Sequence, residues 1–368
     1  MENYRIHRLQ LTNFRNINNS VIEFDSKVNC IFGQNGNGKT NILEAIYFLA
    51  YKKSFRKNTS FPQLLDTDSE KPEIYINSTL TDEYENDTAY SLKLTSEEFQ
   101  YFKESKAIKR KLKIPAIFIN PFDSFQYHQQ SSFRRNLIDQ YLGVVDDEYR
   151  SLMARYQKCL RQRNALLSHR STSVIPQLNA INEQYVRYIS QITSLRVQYV
   201  ENLNKYITEI YRELFSEDHD LELELQSDFI DKSNEEIKSI LENALPKDLE
   251  RGHSTKGIHR DDFITLFDDF NAFEYCSLGQ QKMSFLSLLF AYIDLFRYKK
   301  GSYPVVLIDD VSGELDQERW NRLIRFIEKR SFQVVITTAN DAFKEKLETL
   351  PDVKRFRVDA GDIRPDTF

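Results

Sequence analysis

Apolar and polar positions along the chain follow different periods in different stretches, and each period predicts an element. Val28-Asn-Cys-Ile-Phe32 is a short β-prone run, and beyond a glycine-rich stretch Ile42, Ile46 and Leu49 recur at helical spacing. The N-terminal pattern is therefore strand, turn, helix. Towards the C-terminus, Tyr303 to Ile308 reads as a buried strand, Met283 to Phe296 as an apolar helix and Gln333 to Thr338 as another strand. The longest apolar run, Phe285 to Phe296, is broken by Asp294 and falls short of the roughly 18 to 20 residues a membrane span needs. No membrane partner is expected.

Residues 147–215 carry a different rhythm, that of two amphipathic helices. Leu152, Tyr156, Cys159, Leu160, Arg163, Leu166 and Leu167 share one face of the first. Leu178, Ile181, Tyr185, Tyr188, Ile192, Leu195 and Tyr199 keep heptad-like spacing in the second, with His169 to Pro176 as the turn between them. The second helix, about 38 residues at about 1.5 Å each, would run about 55 to 60 Å. The stripe reads as core packing and carries no chemistry.

The chemistry sits in the punctuation. Gly33-Gln34-Asn35-Gly36-Asn37-Gly38-Lys39-Thr40 lies between the first strand and its helix and fits the phosphate-binding loop G-x-x-x-x-G-K-[ST]. Glycines let the backbone curl so that N–H groups face the phosphates, and the helix N-terminus adds about half a positive charge. Lys39 is placed to reach the β and γ phosphates of ATP and Thr40 to bind Mg²⁺. The strand from Tyr303 ends in Asp309-Asp310, the Walker B pattern: Asp309 is the expected Mg²⁺ ligand, and Asp310 the group that polarises the attacking water. Lys39 and Asp309 stand 270 positions apart, so the nucleotide-binding sheet must be closed by two chain segments around an insertion.

Further short motifs follow in order. Ser277-Leu-Gly279-Gln280-Gln281 opens the apolar helix and resembles the signature of ATP-binding-cassette ATPases, which reaches the γ-phosphate held by a partner subunit. Ser312 to Asp316 resembles that superfamily's D-loop, and Thr337 or Thr338 occupies the γ-phosphate sensor position.

Together with Leu11-Thr-Asn-Phe14-Arg15-Asn16, Phe133-Arg134-Arg135-Asn-Leu-Ile-Asp139 and Gly257-Ile-His259-Arg260-Asp261-Asp262, these motifs resemble the RecF family of bacterial recombination and replication-repair proteins, end to end. The resemblance implies an α/β fold: an ABC-type, SMC/Rad50-like P-loop ATPase head built from N- and C-terminal segments, with an inserted α-helical hairpin arm. Residues 1–145 and 251–368 would form the head and 146–250 the arm and return segment. Arg15 would sit beside the phosphates, Ser277 would cap the γ-phosphate across an ATP-dependent homodimer, and Gly279 and Gln280 would join it. Asp123, in Asn120-Pro-Phe-Asp123, would be an Mg²⁺ or water contact. The implied function is ATP-dependent grip on double-stranded and gapped DNA, slow hydrolysis for release, and loading of RecA with RecR and RecO. Rival readings are another short SMC-like chromosome-maintenance ATPase or a transporter ATPase subunit, the latter disfavoured by the long spacing.

Composition qualifies this picture. A chain of 368 residues suggests two or three domains, and cysteines at 30, 159 and 276 form no disulfide or zinc pattern, so the cytoplasm is expected. A net charge of −5 is unusual for a nucleic-acid binder, but it is unevenly spread. Residues 150–170 hold six cations and no acid, 103–113 six cations against Glu104, and 217–250 twelve acids against three lysines. Lys109, Arg110, Arg155, Lys158 and Arg161 are the candidate DNA contacts, and no base-reading motif accompanies them.

Overall fold

A computed structural model describes residues 4–25, 27–82, 84–109, 114–215, 219–310, 317–339 and 353–366. The D-loop motif and Arg110 lie outside the described residues. The chain divides into two compact units: Met1–Phe122 with Glu213–Ser216 and Phe296–Phe368, and Asp123–Arg212 with Glu217–Leu295.

The first unit holds two sheets. One is antiparallel, in the order β2 (Ile17–Glu23), β1 (Arg5–Phe14), β4 (Ile74–Thr81), β5 (Asp87–Leu94), β6 (Phe99–Lys103), β7 (Lys106–Ile108). The other runs β15 (Asp362–Pro365), β14 (Val353–Asp359), β3 (Val28–Phe32), β13 (Val334–Thr338), β12 (Val305–Ile308), β8 (Ala116–Ile119), parallel except for β15. N-terminal strands β3 and β8 thus flank β12 and β13 from the C-terminal segment. Every residue of β3, β12 and β13 is buried, which is why these strands are mostly apolar and show no polar–apolar alternation.

Helix α1 (Lys39–Tyr51) shares one core with residues of both sheets, including Leu9 and Leu11 of β1 and Leu307 of β12. It is buried nearly all round, Lys39 and Glu44 included. The short α2 (Phe61–Leu64) is closed by a capping box between Ser60 and Gln63, and α10 (Gln317–Glu328) buries Trp320, Leu323 and Ile327.

The second unit contains α3 (Asp123–Gln129), α4 (Ser131–Val145), α5 (Asp147–Leu167), α7 (Asn234–Arg251), α8 (Ala272–Tyr275), most of α6 (Ile175–Phe215) and of α9 (Leu278–Lys300), and a small antiparallel sheet β11 (Phe270–Asn271), β10 (Asp262–Phe267), β9 (Leu221–Gln226). Residues 123–145 and 251–295 group here, and not with the head segments expected from sequence, because they bond to one another. Arg134 grips Asp262 through Nε at 2.8 Å and Nη2 at 2.7 Å, and the Tyr127 and Thr265 hydroxyls meet at 3.0 Å.

Helices α5 and α6 run antiparallel, as the contacts Tyr156 to Tyr185 and Arg163 to Asn182 require. At 41 residues α6 is about 60 Å long. Its later turns receive β9: the Asn204 and Thr208 side chains bond the Leu223 and Leu221 backbone. The buried face differs from the expected stripe. Asn182, Ile189 and Arg196 are buried, whereas Ile181, Tyr188 and Leu195 are half-exposed. A pattern read from apolar residues alone skips Asn182 and Arg196 and takes their neighbours.

Those polar residues belong to two buried networks. Arg163 and Asp248, both fully buried, pair at 2.8 Å, and Arg163 also donates to Asn182 and Ser254. Arg196 donates to Asp139, Asp261, the Tyr149 hydroxyl and the Ile258 carbonyl, so the Phe133–Asp139 and Gly257–Asp262 motifs converge on one guanidinium. Burial pushes the Asp261 carboxyl up to about 6, against the pull of Arg196. Removing one partner of a buried ion pair strands the other charge. Asp248→Ala is therefore expected to lower unfolding free energy by about 3 to 5 kcal/mol in urea denaturation, and the apolar double replacement Arg163→Met/Asp248→Leu to recover most of that loss.

Candidate nucleotide site

Strands β3, β13 and β12 are neighbours, and their C-terminal ends deliver the phosphate loop, Thr337 and Asp309-Asp310 to one edge of the sheet. Open parallel sheets bind ligands beyond these ends. Gln34, Asn35 and Gly36 form the exposed crest of the loop. Gly38, at φ 106°, caps α1 in the left-handed region, and a Cβ there would lie 2.5 Å from Asn16 Oδ1. Only glycine meets both conditions. No side chain caps α1; the Asn41 N–H bonds the Gly38 carbonyl at 3.0 Å, and the helix start otherwise has the polarity that favours an anion.

The loop is braced from outside. Asn16 donates to the Asn37 carbonyl and accepts from Asn41, while Asn37 Nδ2 donates to Val358 O and Asp359 Oδ1. Lys39 folds over the loop, its Nζ 2.7 Å from Gly33 O and 3.0 Å from Gln34 O. Burial holds its ammonium below the ordinary lysine range, and Asp310 and Asp309 pull it back up.

Asp309 is the hub. Its carboxylate accepts from Thr40 Oγ1 at 2.9 and 3.1 Å and from Thr337 Oγ1 at 2.6 Å. Burial raises its pKa, and the two hydroxyl donors oppose that rise. A hydroxyl and a carboxylate beside a phosphate loop are hard oxygen donors, few in number, the protein share of a Mg²⁺ site completed by phosphates and water. Thr40 and Asp309 thus fit the ion. Asp310 follows with φ 45°, its N–H bonded to both Thr337 O and Oγ1. Of the two candidate sensor threonines, the structure puts Thr337 on Asp309.

Arg15 goes elsewhere. Its Nε and Nη2 grip the buried Glu44 of α1 at 3.0 and 2.6 Å, and Nη1 donates to Gln63 O. The guanidinium braces α1 through Glu44. Sequence reasoning missed Arg56 instead. It donates to Asn41 Oδ1 at 2.8 Å, lies 3.4 Å from Glu44 and is close enough to Asp309 to lower that pKa. The run Lys52-Lys53-Ser-Phe-Arg56-Lys57 offers four cations and no sequence signal that singles one out.

In the second unit, Ser277 and Gln280 exchange hydrogen bonds in a capping box: Ser277 N–H to Gln280 Oε1 at 3.0 Å, Gln280 N–H to Ser277 Oγ at 3.3 Å. Gly279 is exposed, and a Cβ on it would meet nothing nearer than Ser277 Oγ at 3.9 Å. The next residue is anchored: Gln281 Nε2 donates to Phe273 O and Cys276 O, and its own carbonyl accepts from the buried His128 at 2.9 Å. Asp123 opens α3. Lys109 in the first unit and Arg155, Lys158 and Arg161 on α5 in the second are exposed, whereas Arg163 of the same basic run is sealed inside.

Fold and site together define a P-loop ATPase head of the SMC type. The chain matches the model of the RecF/RecN/SMC N terminal domain over residues 5–359. It is 30% identical over 97% of its length, and 99% of the relative's, to the DNA replication and repair protein RecF of Oceanobacillus iheyensis. Its fold superposes with TM-score 0.85 on the recombination mediator protein RecF solved with ATP, at 24% identity over 99% of this chain and 98% of that one. The Smc head domain from Pyrococcus furiosus scores 0.58 at 16% identity, over 99% of this chain and 96% of that one. The chain belongs to the RecF family.

Because two hydroxyls hold down the Asp309 pKa, Thr337→Val is expected to raise it further. The Asp309 carboxyl carbon followed by NMR should titrate above the ordinary carboxylate range in the wild type and higher still in the variant.

Proposed function

We propose that this chain is an ATP-gated DNA-binding protein of recombinational repair and replication restart. The observation that carries the reading is the Thr40–Asp309–Thr337 cluster under an uncapped glycine loop, which joins residues 40 and 309 at 2.9 Å. ATP binds along the loop from Gly33 to Thr40, with Lys39 on its β and γ phosphates. Thr40 and Asp309 hold Mg²⁺, whose chemistry is neutralisation of developing phosphate charge. Asp310 orients and polarises the attacking water.

Hydrolysis competence needs a second copy. Ser277, Gly279 and Gln280 lie at an exposed helix start, and Gly279 serves no internal packing or backbone need. A solvent-exposed helical glycine costs about 1 kcal/mol relative to alanine. Its value is the close approach of something from outside, here the nucleotide held by the partner head. Ser277 then exchanges its Gln280 contact for a γ-phosphate oxygen. The ATP-bound homodimer holds double-stranded DNA at gaps, slow hydrolysis releases it, and RecR with RecO uses the bound state to load RecA in the cytoplasm.

Lys39→Ala is expected to abolish nucleotide-dependent dimerisation in light scattering. Asp310→Asn should keep ATP binding and the dimer while slowing turnover at least about a hundredfold, the scale of general-base catalysis; loss of ATP binding in that variant would make Asp310 structural. Gly279→Val should fold and bind ATP as the wild type does yet remain monomeric, and a normal dimer in that variant would remove the signature from the interface.

A further inference from the structure

The Gly257–Asp262 motif is absorbed by neither the nucleotide site nor the signature. Five of its six residues face inward. A Cβ on Gly257, at φ 145°, would fall 2.3 Å from the Tyr185 hydroxyl and 2.6 Å from that of Tyr156. Ile258 is fully buried, His259 Nδ1 meets Tyr156 Oη at 2.8 Å, Asp261 pairs with Arg196, and Asp262 with Arg134. Arg260 alone is exposed and has no carboxylate partner among the described residues.

Arg260 lines a groove of about 590 Å³ between α7 and the loop after it. Lys247, Arg251 and Lys256 line it too, with Asn243 as a further donor. Its one carboxylate, Asp228, is taken by Lys256 at 2.6 Å. Lys247 and Arg251 are exposed and, like Arg260, without an ion-pair partner among the described residues.

The groove is built on fixed parts. Asp248 Oδ1 accepts from both the N–H and hydroxyl of Thr255, its Oδ2 from Arg163, and Asn164 holds Ser254 through N–H and hydroxyl. The loop carrying Lys256 and Arg260 is therefore positioned before any ligand arrives.

We infer that this groove, lined by Lys247, Arg251 and Arg260, is a docking site for the phosphate backbone of duplex DNA. The inference rests on the DNA-binding reading above and gives it a location at the C-terminal end of the acidic segment 217–250 and just beyond it. Lys247, Arg251 and Arg260, cations without a carboxylate partner among the described residues, call for an acceptor-rich ligand. No aromatic side chain lines the groove, so it lacks the stacking platform that single strands need, and the only apolar floor is Ile240 and Ala244. Contacts of this kind hold DNA without reading its sequence.

The test is fluorescence-anisotropy binding of duplex DNA by the full chain with ATP and Mg²⁺ across a salt series, for wild type, Arg251→Ala/Arg260→Ala and Arg260→Lys. Each lost phosphate contact removes about 0.9 from the log–log salt slope, so the double variant should flatten it by about 2 and bind at least tenfold more weakly at about 0.1 M salt, with ATP affinity and thermal unfolding unchanged. Arg260→Lys should keep the wild-type slope. An unchanged slope in the double variant overturns the groove assignment. So does polyglutamate binding that the double variant loses while its duplex affinity is intact, which would make the groove a seat for an acidic protein segment. Wild type that retains no duplex at any salt or nucleotide condition sinks the DNA-binding reading itself.

Discussion

One carboxylate organises the nucleotide site. Asp309 ends a fully buried strand, and its oxygens accept hydroxyl protons from the head of α1 and from the neighbouring strand β13. Three pieces of chain are thereby set in register at one sheet edge. Desolvation works against the charge, and the two donors offset part of the penalty, so the carboxylate is held ready without a lysine or arginine bonded to it. Thr40, while donating its proton, keeps oxygen lone pairs free for a cation. The contact that assembles the site thus also presents the groups a metal-bound triphosphate needs.

Buried charges stiffen each unit by itself. Glu44 neutralises Arg15 and interacts with Arg56 and Ser54 behind the phosphate loop. In the other unit Arg163 and Arg196 each gather partners from segments distant in sequence. Buried ion pairs give little net stability compared with apolar packing, but they penalise any arrangement that separates the partners. That fixes the rigid bed beneath Ser254 to Arg260, on which the outward cations of the groove stand.

The net charge of −5 misleads because burial and position divide it. Arg163 leaves the surface entirely, Arg150 pairs with Asp147, and Lys247, Arg251 and Arg260 gather at one groove beside the most acidic stretch. Counting charges along the chain finds dense runs; it does not find Lys247, Arg251, Lys256 and Arg260, which are spaced four or five residues apart and flanked by Asp248, Glu250, Asp261 and Asp262. The same blindness affects the α6 stripe, where Asn182 and Arg196 occupy core positions that a hydrophobic pattern leaves vacant.

The sequence alone determined the phosphate loop, the Asp309-Asp310 pair, the helix start at Ser277 and the strands and helices around them. Those features are local: glycine conformations, helix starts and two-sided strand burial are written in consecutive residues. It also required two chain segments to close one sheet, because 270 positions separate two halves of one site. Only the tertiary structure decided that Arg15 faces Glu44, that Arg56 stands near Asp309, that Thr337 bonds Asp309, and where each buried arginine finds its acid. Such choices depend on long-range geometry in a desolvated interior, where a charge takes whichever partner the packing brings within about 3 Å.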